Sequence, residues 1–572
     1  MSTPAPMALI TGFGGINPAG RSSAHMAFQR VIFDVLNQQQ QRETLESLQQ
    51  VMNLTGDPLS QQQAIQQGTL VRSWDNIAWD ANQVPVHQAF TDDQGNACWR
   101  LTHKRLAVQS AGQTPKGFDP AALYPSHHHP RGLQLSIYAA SDAIASLGID
   151  WQTLKHHVRP DQIGVYAGSA MGQLDQTGTG GMLQAALQGQ RTSSKQCALG
   201  LSQMPADFVN AYVLGNIGAT GSSVGACATF LYNLKAALDD LRSGRRRIIV
   251  VGNAEAPLLP EIIEGYHAMT ALISEEKLRN LDQTSAEEQP DYRRASRPFS
   301  ENAGFTLAES AQFFVLTDEA LALELGLTIH GAIGDVYVNA DGFKKSISSP
   351  GIGNYLTMGK AVAEARRWFG ENTVQQRSFV QAHGSSTPQN RVTESHIYTE
   401  LARAFSIKDW KITAVKAHLG HSLATASADQ LLMTLGAWSH QMIPGITTSD
   451  HIAADVYQQG LNFLLQHTPI ENDADIAFIN AKGFGGNNAS AFVISPQKTK
   501  ALIEKNYDTT SWNQYLSRNE KTLEHSWQYH QQMSAGKRQV IYQFGEQVLD
   551  AADLNISDRE ISIRGWKNSV QL

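Results

Sequence analysis

The sequence has little cysteine and no long apolar run. Three cysteines (Cys98, Cys197 and Cys227) among 572 residues form an odd set, which argues against a disulfide framework and suits a reducing compartment. No segment approaches the roughly 20 apolar residues that a membrane-spanning helix needs. The first residues, Met1–Pro6, lack the basic start of a signal peptide. We therefore expect a cytoplasmic protein without a membrane span.

Positive charge is also scarce. Lys and Arg total 45 against 52 Asp and Glu, which gives a formal net charge of −7 and argues against a general nucleic-acid binder. An acidic protein partner would need a local basic patch. The three consecutive histidines do not form a metal-binding pattern, because His127, His128 and His129 cannot face one ion from regular structure. We expect a solvated loop there and no metal site.

One short stretch with a single cysteine dominates what is present. Small residues over 221–229 surround Cys227, and the apolar residues behind it have helical spacing: Phe230, Leu234, Leu238 and Leu241. This pattern places Cys227 near a helix N-terminus, where free N–H groups favour a thiolate. Taken alone, a cysteine of this kind is more typical of a buried cysteine in a tight turn.

Strands and helices alternate through most of the chain. Strands are expected at 163–169, 248–251, 311–316, 378–382, 412–415, 476–480 and 490–494, with helices at 133–147 and 422–438. Such alternation predicts an α/β fold with mainly parallel pairing, in which functional groups gather at strand ends. Cys227, His383, His421 and Phe484 each adjoin a predicted strand beside a glycine.

Two segments stand apart from this alternation. Residues 36–130 are expected to be an insertion, weakly helical to residue 70 and irregular beyond it. Residues 497–572 are polar, and we expect helices packed on the outside followed by a strand at 560–564.

Four motifs occur in a fixed order: Gly-Ala-Cys-Ala-Thr, His-Gly-Ser-Ser-Thr-Pro, Lys-x-x-x-Gly-His and Gly-Phe-Gly-Gly-x-Asn-Ala. In this order they resemble the β-ketoacyl-acyl carrier protein synthases of the Cys-His-His branch, over 7–35 and 131–495. The resemblance implies a thiolase-like αβαβα sandwich of two similar α/β halves, and a homodimer. The halves would be 1–260, with the insertion, and 261–496, followed by the extension 497–572.

The resemblance also implies roles for individual residues. Cys227 would be the nucleophile that accepts the acyl group, His383 and His421 the paired histidines that hold the enolate oxygen, and Lys416 the lysine that orders the site. Such chemistry needs no metal or redox cofactor. The expected substrates are an acyl-CoA or acyl-carrier-protein thioester and malonyl-acyl carrier protein (malonyl-ACP), with the carrier protein as partner.

Four further positions are expected on the substrate and oxyanion side. Phe484 would supply a backbone N–H that, with that of Cys227, holds the oxyanion. Gly485 and Thr387 would lie beside the substrate. Glu394 matches the acid that follows the first histidine, in the turn after His383.

Several positions depart from the usual family pattern. Arg391 stands where an Asp is usual, Gln430 where a Glu is usual with Asp429 beside it, and the loop Ser300–Ala303 is short. Together with the insertion and the extension, these features look similar to the long FabY-type initiating synthases of some bacteria, which use acetyl-CoA as primer.

Alternative functions remain open inside the family. An elongating synthase, or a specialised lipid or polyketide synthase, would use a longer acyl primer. A catalytically silent partner subunit would lack the cysteine, and a thiolase would carry a second cysteine after Cys227, which is absent. Basic residues that could receive the carrier protein (Arg131, Arg245, Arg246, Arg247, Lys344 and Lys345) cannot be ranked from sequence.

Overall fold

A central β-sheet organises the computed structural model, which describes residues 7–74, 79–470, 474–537 and 539–572. Met1–Pro6, discussed above as lacking a signal sequence, lie outside the described residues. The strands follow one another across the sheet in this order: Leu461–Phe463, Trp410–Thr413, Ser378–Gln381, Ile476–Gly483, Asn487–Ile494, Ala332–Ala340, Ala8–Asn17, Ser310–Thr317, Ile248–Glu255, Ile163–Gly168 and Ala219–Gly221. A short strand, Gly20–Arg21, pairs with Ala8–Asn17.

The sheet is built from two parts with the same pairing pattern. They meet where Ala8–Asn17 pairs with Ala332–Ala340 over two residue pairs. In each part the three strands nearest this junction are antiparallel, and the outer strands are parallel. This repetition gives the two similar halves of a thiolase-like fold.

The expectation of mainly parallel pairing was wrong for the inner strands. Ile476–Gly483 and Asn487–Ile494 are joined by the tight turn 484–486, and so short a connection allows only antiparallel pairing. The sheet is therefore mixed.

Helices lie in layers around the sheet. Thr229–Arg242 and Ala426–His440 are largely buried and share one apolar cluster with strands of both halves. The other α-helices are Met26–Val31, Gln38–Val51, Gln62–Gln67, Arg131–Ala145, Trp151–Lys155, Thr179–Gln184, Ser194–Leu199, Met204–Val209, Pro260–Ala268, Glu275–Asp282, Glu319–Leu325, Gly353–Phe369, Glu371–Gln376, Pro388–Ala404, Lys416–Leu419, Pro496–Glu504 and Thr509–Ser534. Helices therefore lie between the strands of the two halves as well as outside them.

The boundary between the halves stays a prediction. The strand Ser310–Thr317 pairs with Ile248–Glu255 and Ala8–Asn17, which belong to the first half. The strand pairing therefore favours a boundary after residue 317 rather than after residue 260.

The insertion contains more regular structure than its sequence suggested. Residues 71–130 were expected to be irregular, yet Val84–Thr91 and Ala97–Lys104 form an antiparallel hairpin. Most residues of both strands are exposed, so the apolar alternation that marks a strand is weak. The Asp92 carboxylate accepts hydrogen bonds from the backbone N–H groups of Gln94 and Asn96 and fixes the turn.

The C-terminal extension packs against both halves. Trp512 and Tyr515 lie in an apolar cluster with strands of the second half, and the Tyr515 hydroxyl donates to Leu327 O at 3.2 Å. Along the helix Thr509–Ser534, the Tyr529 hydroxyl donates to Asp142 Oδ1 at 2.8 Å, and Arg21 donates to His530 Nδ1 at 2.7 Å. Three strands follow: Leu554–Ile556, Glu560–Ile563 and Val570–Gln571. The outer helices and the strand expected near 560–564 are present.

Candidate active site

Cys227 lies in a 3-10 turn, Ala226–Ala228, that leads directly into the helix Thr229–Arg242. Ala226 has a φ of +50°, a left-handed conformation that costs a non-glycine residue roughly 1–2 kcal/mol. The Thr229 hydroxyl holds this turn: it donates to Ala226 O at 2.6 Å and accepts from Gly225 N at 3.0 Å. The strained turn fixes the position of the thiol at the start of the helix.

The expectation that the helix end would favour a resting thiolate needs correction. Cys227 is only 5% exposed, and this burial raises the pKa of its thiol to about 12, with Lys416 acting in the opposite direction. Desolvation destabilises the charged form, and the sequence pattern did not report it. The sulfur therefore keeps its proton at neutral pH.

The structure brings His383 and His421 together and fixes their tautomers. Their rings are 5.4 Å apart between centroids, at an interplanar angle of 83°. His383 Nδ1 accepts from the backbone N–H of Lys482 at 3.3 Å, and His421 Nδ1 accepts from that of Leu423 at 3.2 Å. Because Nδ1 is an acceptor in both rings, each neutral imidazole carries its proton on Nε2.

Both histidines are held in the neutral form. Burial lowers the pKa of His383 and of His421 well below the usual value, and the charge of Lys416 lowers it further. At neutral pH the pair therefore presents two N–H donors beside Cys227 and no positive charge of its own.

Lys416 is buried and bonds to the backbone next to this pair. Its ammonium donates to the carbonyl oxygen of His383 at 2.5 Å. Burial lowers the pKa of Lys416 to about 8, although the nearby carboxylates of Glu394 and Asp429 raise it. The lysine therefore fixes the main chain of His383 by a charge-assisted hydrogen bond.

The departure at Gln430, beside Lys416, has a local explanation. Gln430 Nε2 donates to the carbonyls of Gln381 and Ala382 at 2.9 and 2.7 Å, so it ties the strand that leads to His383 instead of pairing with Lys416. Asp429 Oδ2 accepts from Ser422 Oγ at 2.6 Å.

Glu394 lies in the helix Pro388–Ala404, not in the turn that was expected. Its carboxylate accepts from the backbone N–H groups of His383 and Gly384 at 2.7 and 2.8 Å, and from the Tyr398 hydroxyl at 2.6 Å. It is fully buried and is not among the residues that line the cavity. Glu394 therefore positions the backbone of His383, and a direct contact with substrate is not supported.

Arg391, the other departure in residue type, lies on the same helix as Glu394. It forms two hydrogen bonds with the Asp455 carboxylate, at 2.8 and 2.9 Å, and donates to Asn302 Oδ1 at 3.1 Å. The arginine thereby ties the short loop 300–303 to the segment around residue 455.

The segment around Phe484 runs directly against the cysteine turn. A Cβ atom on Gly483 would lie 2.4 Å from Gly225 O and 3.1 Å from Cys227 N, so only glycine allows this approach. Gly485, with a φ of +86°, forms the turn that follows. The backbone N–H groups of Cys227 and Phe484 thus belong to two closely apposed segments, which suits a pair of oxyanion donors.

A cavity of about 710 Å³ is lined by Cys227, His383, His421, Phe484 and Thr387. A second, apolar cavity of about 670 Å³ is lined by Met171, Leu174, Ile262 and Tyr266, and also by Phe484. Five of the eight residues proposed from sequence therefore line one cavity. Lys416 and Glu394 bond to the backbone of His383 outside that cavity, and Gly485 forms the turn after Phe484.

Three residues at this site were not found from sequence. Tyr266 Oη lies 3.6 Å from Met171 Sδ, and Lys482 lines the first cavity. Glu255 is buried, accepts from the backbone N–H of Met171 at 3.4 Å, and has a pKa raised by burial to about 7. Glu255 ends the strand Ile248–Glu255, which was predicted only over 248–251, so its place at a strand end was not visible. Lys482 directly precedes the Gly-Phe motif, and this proximity was the available signal.

Within the described part of the chain, every helix is too short or too polar to cross a bilayer.

Comparison with known proteins gives a consistent result. The chain matches the beta-ketoacyl synthase N-terminal domain over residues 99–322 and the C-terminal domain over residues 330–449. It is 45% identical to the beta-ketoacyl-[acyl-carrier-protein] synthase FabY of Pseudomonas aeruginosa, with 98% of this chain and 97% of FabY aligned.

Solved structures agree with the sequence matches. The crystal structure of the noncanonical ketosynthase FabY from P. aeruginosa has a TM-score of 0.97 at 44% identity, covering 100% of this chain and 98% of that one. A type II polyketide ketosynthase, solved with its acyl-carrier protein, has a TM-score of 0.60 at 18% identity, covering 86% of this chain and 100% of that one, and shows the shared fold alone. The chain therefore belongs to the beta-ketoacyl synthase family and is an acyltransferase of the FabY type, a β-ketoacyl-ACP synthase of fatty acid synthesis.

Proposed function

We propose that this synthase condenses an acetyl primer from acetyl-CoA with malonyl-ACP, using Cys227, His383, His421 and Phe484. The observation that carries the assignment of residues is the geometry of the histidine pair: both rings are neutral, both have Nε2–H donors, and both line the cavity of Cys227. Mass detection of an acetoacetyl-carrier protein, formed from acetyl-CoA and malonyl-ACP, tests the overall reaction.

The first half-reaction transfers the acyl group to sulfur. Cys227 Sγ attacks the thioester carbonyl, and the backbone N–H groups of Cys227 and Phe484 stabilise the oxyanion. The carbon–sulfur bond to CoA breaks, and the thiol proton passes to the departing CoA thiolate. One thioester is exchanged for another, so the step needs no net proton even though the Cys227 thiol is protonated at rest.

The second half-reaction forms the new carbon–carbon bond. The thioester oxygen of the malonyl group accepts hydrogen bonds from the Nε2–H groups of His383 and His421. The bond to the carboxylate breaks, CO₂ leaves, and its electron pair forms an enolate whose charge these donors stabilise. The enolate carbon attacks the acyl carbon, and the Cys227 thiolate departs and takes up a proton.

A short primer is supported by a wall between the two cavities. Cys227 lines the first cavity only, whereas Met171 and Tyr266, in contact at 3.6 Å, line the second. Phe484 lines both, and the Tyr266 ring lies 6.3 Å from the Phe484 ring between centroids. We infer that these side chains separate Cys227 from the apolar cavity and restrict the entry of a longer chain.

Replacing Tyr266 by alanine should open this wall. We expect acylation of Cys227 by hexanoyl-CoA or octanoyl-CoA to rise at least about tenfold relative to acetyl-CoA, since one to three kcal/mol is typical for such apolar pocket changes. Tyr266→Phe keeps the ring and serves as the matched control. An unchanged chain-length preference in Tyr266→Ala would contradict Tyr266 as the barrier, and a wild type that already prefers long chains would support the elongating alternative.

An acidic carrier protein is the proposed partner, and existing ion pairs support a choice among the basic residues that could receive it. Arg131 is paired with Glu309, Arg245 and Arg246 with Asp240, Arg247 with Asp318, and Lys344 with Asp341. Lys345 is exposed, and Lys277 lines the mouth of the catalytic cavity. These two lysines are therefore the better docking candidates.

The double substitution Lys277→Glu and Lys345→Glu should raise KM for malonyl-ACP about tenfold at low salt, because the reversed charges repel an acidic partner. KM of the wild type should rise with salt for the same reason. Malonyl-CoA, which lacks the protein, is the control substrate. A salt-independent KM for malonyl-ACP, or no effect of the double substitution, would contradict electrostatic docking at this mouth.

Homodimerisation is supported by the edge of the sheet. Ala219–Gly221 ends the sheet, and Ile217 and Val224 beside it are 44% and 50% exposed. An unpaired strand edge with exposed apolar neighbours favours pairing with a second copy, which sedimentation would reveal as a mass of two chains. The proposed CoA and carrier-protein substrates support a cytoplasmic location.

A further inference from the structure

Lys482 lies at the catalytic cavity, and its side chain has no role in the reaction described above. It lines the same cavity as Cys227 and His383. Its backbone N–H holds His383 Nδ1 at 3.3 Å, and its ammonium donates to Thr393 Oγ1 at 3.1 Å. Thr393 is the one hydrogen-bond acceptor for this ammonium among the described residues, although an ammonium has three donors.

The charge of Lys482 is not neutralised by a direct ion pair with any described carboxylate. Lys344, which lines the same cavity, differs in this respect because Asp341 lies 3.1 Å from its ammonium. A partly buried cation with spare donors at a substrate cavity is costly unless an anion arrives to pair with it. The geometry therefore points to an anionic group on the substrate.

We propose that Lys482, anchored by Thr393, forms the binding subsite for the carboxylate of the malonyl group. This rests on the proposed function, in which His383 holds the malonyl thioester oxygen. The carboxylate is separated from that oxygen by only the thioester carbon and one methylene carbon. The backbone N–H of Lys482 donates to His383 Nδ1, so the Lys482 side chain begins close to that histidine. The phosphate of the pantetheine arm is the other anion on this substrate, and the whole arm separates it from the thioester.

A cation at this place has a predictable kinetic effect. It stabilises the malonyl carboxylate in the bound state, but that charge leaves the carboxylate as CO₂ forms. Its interaction is therefore no stronger in the transition state than in the bound substrate, so its loss raises KM without lowering kcat. A residue with a purely structural role would instead disturb both half-reactions.

The test compares Lys482→Met with the wild type in each half-reaction. KM for malonyl-ACP should rise about tenfold or more, as for loss of a charge-assisted hydrogen bond, whereas acetyl transfer from acetyl-CoA to Cys227 should be unchanged. The bond to His383 Nδ1 comes from the main chain and survives the substitution. Lys482→Arg should restore much of the affinity, Lys482→Gln is a second neutral variant, and Lys360→Met on an outer helix is the control.

A comparison of two malonyl substrates identifies which anion Lys482 binds. With malonyl-N-acetylcysteamine, which keeps the carboxylate but has no phosphate, the increase in KM should persist. An increase confined to malonyl-ACP would assign Lys482 to the phosphate and overturn the carboxylate subsite, as would an unchanged KM in both neutral variants. Absence of condensation in the wild type would instead refute the proposed function itself.

Discussion

Replacing Cys227 by alanine should abolish condensation while malonyl decarboxylation continues. The nucleophile is lost, and loss of a catalytic nucleophile typically lowers turnover by about 10⁴–10⁶. The histidine pair does not depend on the thiol, because its tautomers are fixed by the backbone N–H groups of Lys482 and Leu423. The enolate can therefore still form, and it will be protonated to acetyl-carrier protein.

Two measurements separate these outcomes: 3-oxoacyl product by mass and CO₂ release from carboxyl-labelled malonyl-ACP. Cys197→Ala is the matched control, since Cys197 is an exposed free cysteine. Retention of condensation in Cys227→Ala would contradict the assignment of the nucleophile. Loss of decarboxylation together with condensation would contradict the independence of the histidine pair.

Substitution of either histidine should lower decarboxylation and leave acylation of Cys227 intact, the reverse of the Cys227→Ala result for these two steps. In His383→Ala or His421→Ala we expect decarboxylation and condensation to fall by about 10²–10³, the usual cost of removing one oxyanion donor. Transfer of acetyl from acetyl-CoA to Cys227 should be little affected, because the backbone N–H groups of Cys227 and Phe484 serve that step.

The matched control for the histidine variants is His128→Ala, an exposed histidine far along the chain from either motif. The measurements are initial rates of CO₂ release and the mass of the acylated enzyme. An equal loss of acylation and decarboxylation would indicate that the substituted histidine acts mainly on the thiol, and would contradict the division of labour proposed here.

Sequence motifs predicted the chemistry of the site better than its supporting structure. The order of the Cys, His, Lys and Gly-Phe motifs indicated the residues that line the cavity, because each motif has a fixed place at a strand or helix end. The pairing direction of the inner strands was missed, since it depends on the tight turn 484–486. The hairpin Val84–Thr91 with Ala97–Lys104 was missed because most of its residues face solvent.

The thiol pKa and the partners of the polar side chains were the hardest features to predict from sequence. The helix end behind Cys227 suggested a low thiol pKa, whereas burial raises it. The positions of Gln430 and Arg391 looked like losses of acidic groups, but in three dimensions Gln430 binds strand-end carbonyls and Arg391 pairs with Asp455. Burial and long-range partners decide these effects, and neither is visible in local sequence.

The most direct test of the central claim is the intact mass of the protein after mixing with acetyl-CoA, for the wild type and Cys227→Ala. We expect a gain of one acetyl group per chain in the wild type, mapped to Cys227 by peptide mass, and no gain in the variant. An equal gain in both proteins would contradict Cys227 as the acceptor. No gain from acetyl-CoA, with acylation by a long-chain acyl-carrier protein instead, would contradict the acetyl primer and identify an elongating synthase.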